Sequence, residues 1–381
     1  MPTPRVRTIT CPTCGASRPA ARCPARCGQC DDCCTCGGDS RTLNADRYGH
    51  DRNGAHFHGT PSVEFPLYAG PEIEVNSVAR YGSHIAKLVR ETWRGNIATD
   101  GSCGYEIKPA PARGEAFREQ IIAVCDLLNR AGAKVDKRCG CHIHVGAHNP
   151  DGTVASYAQI RRLVILWALV ERGVYNLCAP SRLSDNNARH YCPPTGERYL
   201  NAVTRDTKQP ADAFALTEGE VKDAIDRCLY GCTGVRADSH KAQGGGHGAR
   251  YAALNLHSFL MTSSGRRRGT VEFRLFSGTT DAEKLLGFAM IATGLVHWAM
   301  THTDEETMAL RGTPAEVLDK VIPHAAAWRK ARQVQLANLK TRRRLGRDRV
   351  TSARVSEARA RAAAEPQPAP QSRVEANDNQ F

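Results

Sequence analysis

Apolar and ionisable residues alternate with period two in three stretches far apart in the chain. They are Gly70-Pro71-Glu72-Ile73-Glu74-Val75, Cys139-Gly140-Cys141-His142-Ile143-His144-Val145-Gly146 and Thr270-Val271-Glu272-Phe273-Arg274-Leu275-Phe276. This period predicts strands, each with its ionisable pair on one face and its apolar residues on the other. A shorter strand is predicted at Cys103 to Pro111, which carries Glu106 and is closed by prolines. Helical spacing marks Tyr81 to Trp93, Glu115 to Arg130 (ended by Gly132), Ala155 to Cys178, about Glu218 to Tyr230, and Asp281 to Met300, capped by Thr280 or Asp281. Thr313-Pro314 starts another helix, expected to run to about Arg344. Asp100-Gly101-Ser102 reads as a turn, Pro180 to Gly196 as a polar basic loop, and Gly231 to Gly248 as a glycine-rich lid or disordered loop.

The ionisable pairs change the picture. A buried face cannot hold such groups unless they pair or bind something. Taken singly, each has a plain structural reading: Glu272 and Arg274, for instance, would serve as a cross-strand ion pair. Taken together, Glu72, Glu74, Glu106, His142, His144, Glu272 and Arg274 read as the floor of one metal and phosphate site. Carboxylate oxygens suit Mg²⁺, which shares phosphate oxygens as ligands, and histidine and arginine suit phosphate as donors. The chain has no Gly-x4-Gly-Lys-Ser/Thr loop and no kinase signature, so a nucleotide would be held by metal and sheet. Cys139 and Cys141 flank the histidines and are read as buried thiols.

Charge is concentrated at the ends. The net charge is +13, yet Arg329 to Arg361 holds twelve Lys/Arg against Asp348 and Glu357, and the middle of the chain is close to neutral. Nucleic acid is therefore expected, if at all, as a partner of the basic tail. Of the 16 cysteines, eight fall between Cys11 and Cys36: Cys11, Cys14, Cys23, Cys27, Cys30, Cys33, Cys34 and Cys36. Cys-x2-Cys recurs there, and almost no aliphatic residue is present to build a core, so structural Zn²⁺ is expected to supply the folding energy. No apolar run follows Met1 to Arg5, and the most apolar run, Leu285 to Met300, is short and contains His297. A cytoplasmic protein with no leader and no membrane span is the expectation. The organisation reads as a Cys-rich zinc module (1–40), a linker (41–61), a catalytic domain (62–325) and a tail (326–381), basic and helical and then disordered.

The ordered set of motifs resembles the amidoligase family of the carboxylate–amine ligase superfamily, with glutamine synthetase and glutamate–cysteine ligase. It comprises Gly70–Val75, Asp100-Gly101-Ser102 with Gly104–Pro109, Cys139–Gly146, Ser181-Arg182, Arg250-Tyr251 with Leu254-Asn255-Leu256, and Gly269–Phe276. The resemblance implies an α+β fold: a mostly antiparallel sheet, helices packed on one side, and a concave face holding ATP and Mg²⁺, as in the glutamine synthetase catalytic domain. It implies an ATP-dependent enzyme that joins a carboxylate to an amine through an acyl phosphate, on a substrate that includes peptides or proteins among the candidates. Carried over, Glu72, Glu74, Glu106 and Glu272 are metal ligands. His142 is a ligand or phosphate contact, and His144 a contact to nucleotide phosphate or substrate. Arg274 and Arg250 stabilise the transferring group, Arg182 holds a carboxylate or phosphate, and Asp100 helps bind metal or deprotonates the amine. Two residues depart from the family pattern: Pro71 stands where a small or apolar residue is expected, and Lys108 where serine is common.

Two other classes compete. A zinc-containing nucleic-acid-binding protein would explain the cysteines and the tail, but acidic strand faces repel phosphate backbones. A metal-dependent hydrolase would use His142, His144 and a glutamate on Zn²⁺.

Overall fold

Each alternating stretch forms a strand, and they lie side by side. The computed structural model describes residues 8–10, 17–19, 58–76, 95–100, 103–183, 192–230, 251–260, 262–263, 266–267 and 269–339. Among these are the strands β1 (Thr8–Thr10), β2 (Ser17–Pro19), β3 (Ala69–Val75), β4 (Asn96–Asp100), β5 (Gly104–Lys108), β6 (Gly140–Gly146), β7 (Leu254–Asn255), β8 (Thr262–Ser263), β9 (Arg266–Arg267) and β10 (Thr270–Ser277). β1 pairs with β2 and β8 with β9; the other six build one antiparallel sheet in the order β4-β5-β3-β6-β10-β7. Helices α1 (Gly114–Arg130), α2 (Tyr157–Tyr175), α3 (Gly196–Val203), α4 (Glu218–Tyr230), α5 (Ala282–Thr301) and α6 (Pro314–Val321) complete an α+β fold. By backbone contacts the chain divides into two units, Met1–Lys330 and Ala331–Phe381. Residues 331–339 of the second are helical.

The apolar half of the alternation is the core. Ile73, Ile107, Cys141, Ile143, Val145, Val271 and Phe273 are fully buried. Phe273 meets Trp167 of α2 edge-on at 5.6 Å between ring centroids, and Phe276 stacks on Phe288 of α5 at 4.5 Å. One extra residue bulges β10 between Phe273 and Phe276, where the register against β6 passes from Phe273↔Ile143 to Phe276↔Cys141. Bulges of this kind turn a strand and re-aim its side chains, and both phenylalanines are buried in the core. α5 has the length and apolarity of a membrane span, but 72% of that stretch is buried inside the fold. A helix packed on a sheet in a core is apolar for the same reason as one in lipid.

Helix termini follow local chemistry. Asp281 caps α5 by accepting from the Lys284 amide, and Ser156 and Thr313 form capping boxes with Gln159 and Glu316. The helix from Thr313 does not run unbroken towards Arg344, although residues 326–330 are helical again. It stops at Val321, because Pro323 holds Ile322 out of the helical region (φ −133°, ψ 65°), and a 3₁₀ turn, Pro323–Ala325, follows. β4 has no counterpart among the strands that the pattern predicts, and Asp100 ends it, paired with Gly104 of β5. The expected helix at Tyr81 to Trp93, the glycine-rich Gly231 to Gly248, Arg250 and the eight cysteines Cys11 to Cys36 lie outside the described residues, as does the Asp100 side chain.

Candidate active site

Four adjacent strands carry the ionisable face. β3 contributes Glu72 and Glu74, β5 Glu106 and Lys108, β6 His142 and His144, and β10 Glu272 and Arg274. Antiparallel register sets Glu74 opposite Glu106, Glu72 opposite His142, and His144 opposite Glu272. Directly opposed residues on one sheet face sit close enough for their side chains to interact. Strands from distant parts of the chain thus bring the predicted site residues into one cluster.

Glu72 is the hub. Its Oε2 lies 3.1 Å from His142 Nδ1, while its Oε1 lies 3.1 Å from Lys108 Nζ and 3.6 Å from His144 Nε2. Glu272 Oε1 is 3.7 Å from both His142 Nδ1 and His144 Nε2, and Arg274 Nη1 reaches the same oxygen at 2.5 Å. Asn255 of β7 donates to the other oxygen of Glu272 at 2.7 Å. Glu74 sits 3.5 Å from His142 Nε2 and accepts from the Gly140 amide. Lys108 also contacts Glu106 directly. Glu72, Glu74, Lys108, His142, His144 and Glu272 are all at most 7% exposed.

Burial would raise the carboxyl of Glu72, but the hydrogen bonds from His142 and His144 and the charge of Lys108 outweigh it and hold Glu72 well below the usual range. Glu272 follows the same pattern: burial opposes ionisation, and the charges of Arg274, His144 and His142 overcome it. Glu106 goes the other way, raised by burial and by the negative charge of Glu72 despite Lys108 beside it. Burial opposes the charge of Arg274, and its glutamate neighbours, Glu272 first, more than restore it.

Arg182 lies in a 3₁₀ turn, Pro180–Leu183, at the edge of this cluster. Its Nη2 donates to the Cys139 carbonyl at 3.0 Å. It crosses directly over Gly140, where a β-carbon would stand 2.3 Å from Nη2, 3.0 Å from His142 Nε2 and 3.2 Å from Glu74 Oε2. Glycine at this position lets the guanidinium approach the strand. The structure thus gathers Glu72, Glu74, Glu106, His142, His144, Glu272 and Arg274 with Arg182 beside them. Two further members, Lys108 and Asn255, are absent from the set that the sequence points to. Lys108 follows Glu106 by two residues, so strand parity already places it on the same face. Asn255 lies on a two-residue strand too short to show a period.

Two sets of ligand atoms lie within 4.8 Å of one another: Glu72, Glu106 and His142, and Glu72, His144 and Glu272. Carboxylates with imidazole are a donor set for Mg²⁺ or Mn²⁺, so the residues present fit a divalent ion. Cys141 adds nothing to it, since it points into the core, where burial pushes its thiol up and keeps it inert. A cavity of about 860 Å³ lies elsewhere, against α3 and α4, lined by Glu171, Arg198, Arg205 and Arg227 among others. Glu171 there holds the fold together, accepting from the Trp167 indole and from the amides of Thr195 and Gly196 at the start of α3.

Residues 35–292 match the family model described as "Putative amidoligase enzyme". The chain belongs to the amidoligase family. Membership implies an enzyme of the amide-forming ligase type, and the matched span takes in every strand of the six-stranded sheet. The amidoligase cluster just described therefore lies wholly inside the family region. No curated protein matches the chain.

Proposed function

We propose that this amidoligase is an ATP- and Mg²⁺-dependent carboxylate–amine ligase that works through an acyl phosphate. One observation carries the reading. Four carboxylates and two imidazoles from four adjacent strands meet on one buried face, with Arg274 and Lys108 against them. A fold does not keep that many ionisable groups out of water for stability alone, because the desolvation cost of any that ionise is recovered only by partners or by a bound ion.

In the first step a substrate carboxylate oxygen attacks the γ-phosphorus of ATP, giving acyl phosphate and ADP. In the second, an amine nitrogen attacks the acyl carbon and expels phosphate, forming the amide and releasing a proton. Bound Mg²⁺ supplies neutralisation of phosphate charge. The residues of the chain do the rest. Glu72, Glu106 and Glu272, with His142 and His144, are the donors on offer to divalent metal. Glu74 fixes His142 from below through its contact with Nε2. Arg274, 17% exposed at its side chain, presents its guanidinium at the rim of the face, where charge develops on the transferring phosphoryl group. Arg182 is set to hold a carboxylate or phosphate, and Arg250 and Asp100 keep the roles the family resemblance implies. Zn²⁺ on the N-terminal cysteines, a peptide or protein substrate, and nucleic acid on the basic tail complete the reading. A cytoplasmic setting fits the thiol-rich composition.

Calorimetric titration with ATP tests the proposal without knowledge of the substrate. The expected result is binding that requires Mg²⁺ and is lost in Glu72→Gln/Glu74→Gln while zinc content and circular dichroism stay normal. Hydroxylamine would then trap an acyl phosphate as hydroxamate once a carboxylate is supplied. Folded, zinc-loaded wild type that binds no ATP with Mg²⁺ overturns it.

A further inference from the structure

Lys108 occupies ground that a metal ion would otherwise claim. Its Nζ stands 3.1 Å from Glu72 Oε1 and in contact with Glu106 Oε2, and these two carboxylates belong to the first of the two candidate ligand sets. The side chain is 3% exposed, so water does not screen the ammonium from either glutamate. Nζ is fully buried, and both carboxylates hold it. An ammonium has three N–H donors, so two carboxylate partners leave one for an oxygen that arrives with a ligand.

Charge balance points the same way. Glu72, Glu74, Glu106 and Glu272 bring four negative charges when ionised; Lys108 and Arg274 bring two positive ones into contact with Glu72, Glu106 and Glu272, and Arg182 lies across Gly140 beside Glu74. The remainder is no more than one divalent ion offsets. A second would have to stand between Glu72 and Glu106, within van der Waals range of the ammonium, and like charges repel most strongly where water is excluded.

We propose that the Lys108 ammonium stands in for one of two divalent ions, so that the site holds a single metal ion on Glu72, His144 and Glu272. This rests on the ligase reading and deepens it: the lysine supplies a tethered cation to the phosphate or carboxylate oxygen that a second ion would contact. The cation is then present before the nucleotide arrives and does not depend on metal concentration. Serine at the same position would leave the Glu72–Glu106 gap open to an ion.

The test counts metal ions directly. Full-length, zinc-loaded protein is titrated with Mn²⁺, followed by calorimetry and by electron paramagnetic resonance, with Glu72→Gln/Glu272→Gln as the baseline. Wild type is expected to bind one Mn²⁺ above that baseline, with the spectrum of an isolated ion. Lys108→Ser is expected to bind two, with spin coupling between them, and Lys108→Arg one. Circular dichroism establishes that each variant is folded. Two coupled ions in wild type, or one ion in folded Lys108→Ser, overturn the assignment of Lys108 and leave the ligase reading standing. No Mn²⁺ in wild type, with or without ATP, overturns both.

Discussion

At the scale of single residues, Gly140 shows how closely the site is built. Its missing side chain is the space through which Arg182 reaches Cys139 and His142 reaches Glu74. Gly140→Ala puts a β-carbon 2.3 Å from the guanidinium, so Arg182 or the strand must shift. Overpacking of this sort costs about 1–3 kcal/mol. The expected outcome is a protein that still folds, with a lower melting temperature and Mn²⁺ affinity reduced about tenfold, because a displaced His142 loosens its 3.1 Å contact with Glu72; unchanged affinity would show that His142 does not orient Glu72 for the ion. The residues of the cluster are legible in the sequence because their chemistry is conspicuous at period two. Gly140 is not, since nothing in a sequence tells which glycine will have an arginine laid across it.

At the scale of elements, helix starts are readable and helix ends less so. Asp281 stands where a capping side chain is expected, and it accepts from Lys284 at 3.2 Å. Asp281→Ala is expected to cost about 1 kcal/mol by chemical denaturation. Metal binding should be untouched, because α5 packs on the opposite face of the sheet from the carboxylates. A larger loss would mean that the cap also holds the chain entering from Gly278–Thr280. The helix begun at Thr313 is far shorter than its pattern predicts, and Pro323 explains its end. Period-two patterns locate β3, β6 and β10, and the closing prolines locate β5. β4 and β7 escape, one hidden in a polar run and the other two residues long. Edge strands owe their existence to a neighbour's unpaired backbone more than to a pattern of their own.

At the scale of the whole molecule, acid sensitivity should come in part from ion pairs that tie one helix of the first unit to the chain that follows it. Asp319 of α6 is held below its ordinary value of 3.8, chiefly by the hydrogen bonds from Arg329. A carboxylate depressed in the folded state adds stability that is present above its unfolded value and lost as the pH falls through its folded value. Asp319 is partly exposed, so solvent screening keeps the contribution to about 1 kcal/mol. Asp319→Asn should therefore be less stable than wild type near pH 7, and the two should converge once the pH has fallen below the folded value of Asp319. A difference that persisted in acid would assign the effect to packing.

The sequence by itself determined the chemistry of the site, because ionisable residues at i and i+2 on a strand must share a face. It determined the side of the core as well, because the intervening Ile73, Ile143 and Phe273 had nowhere else to go. Only the tertiary structure decided which strands are neighbours, and so which carboxylate meets which imidazole. Pairing of β3 with both β5 and β6 makes Glu72 the hub, and that register is a property of strand order and not of any one motif. The same register turned Lys108 from a departure in a motif into a cation lodged between two glutamates, since a side chain's partner is set by the strand beside it.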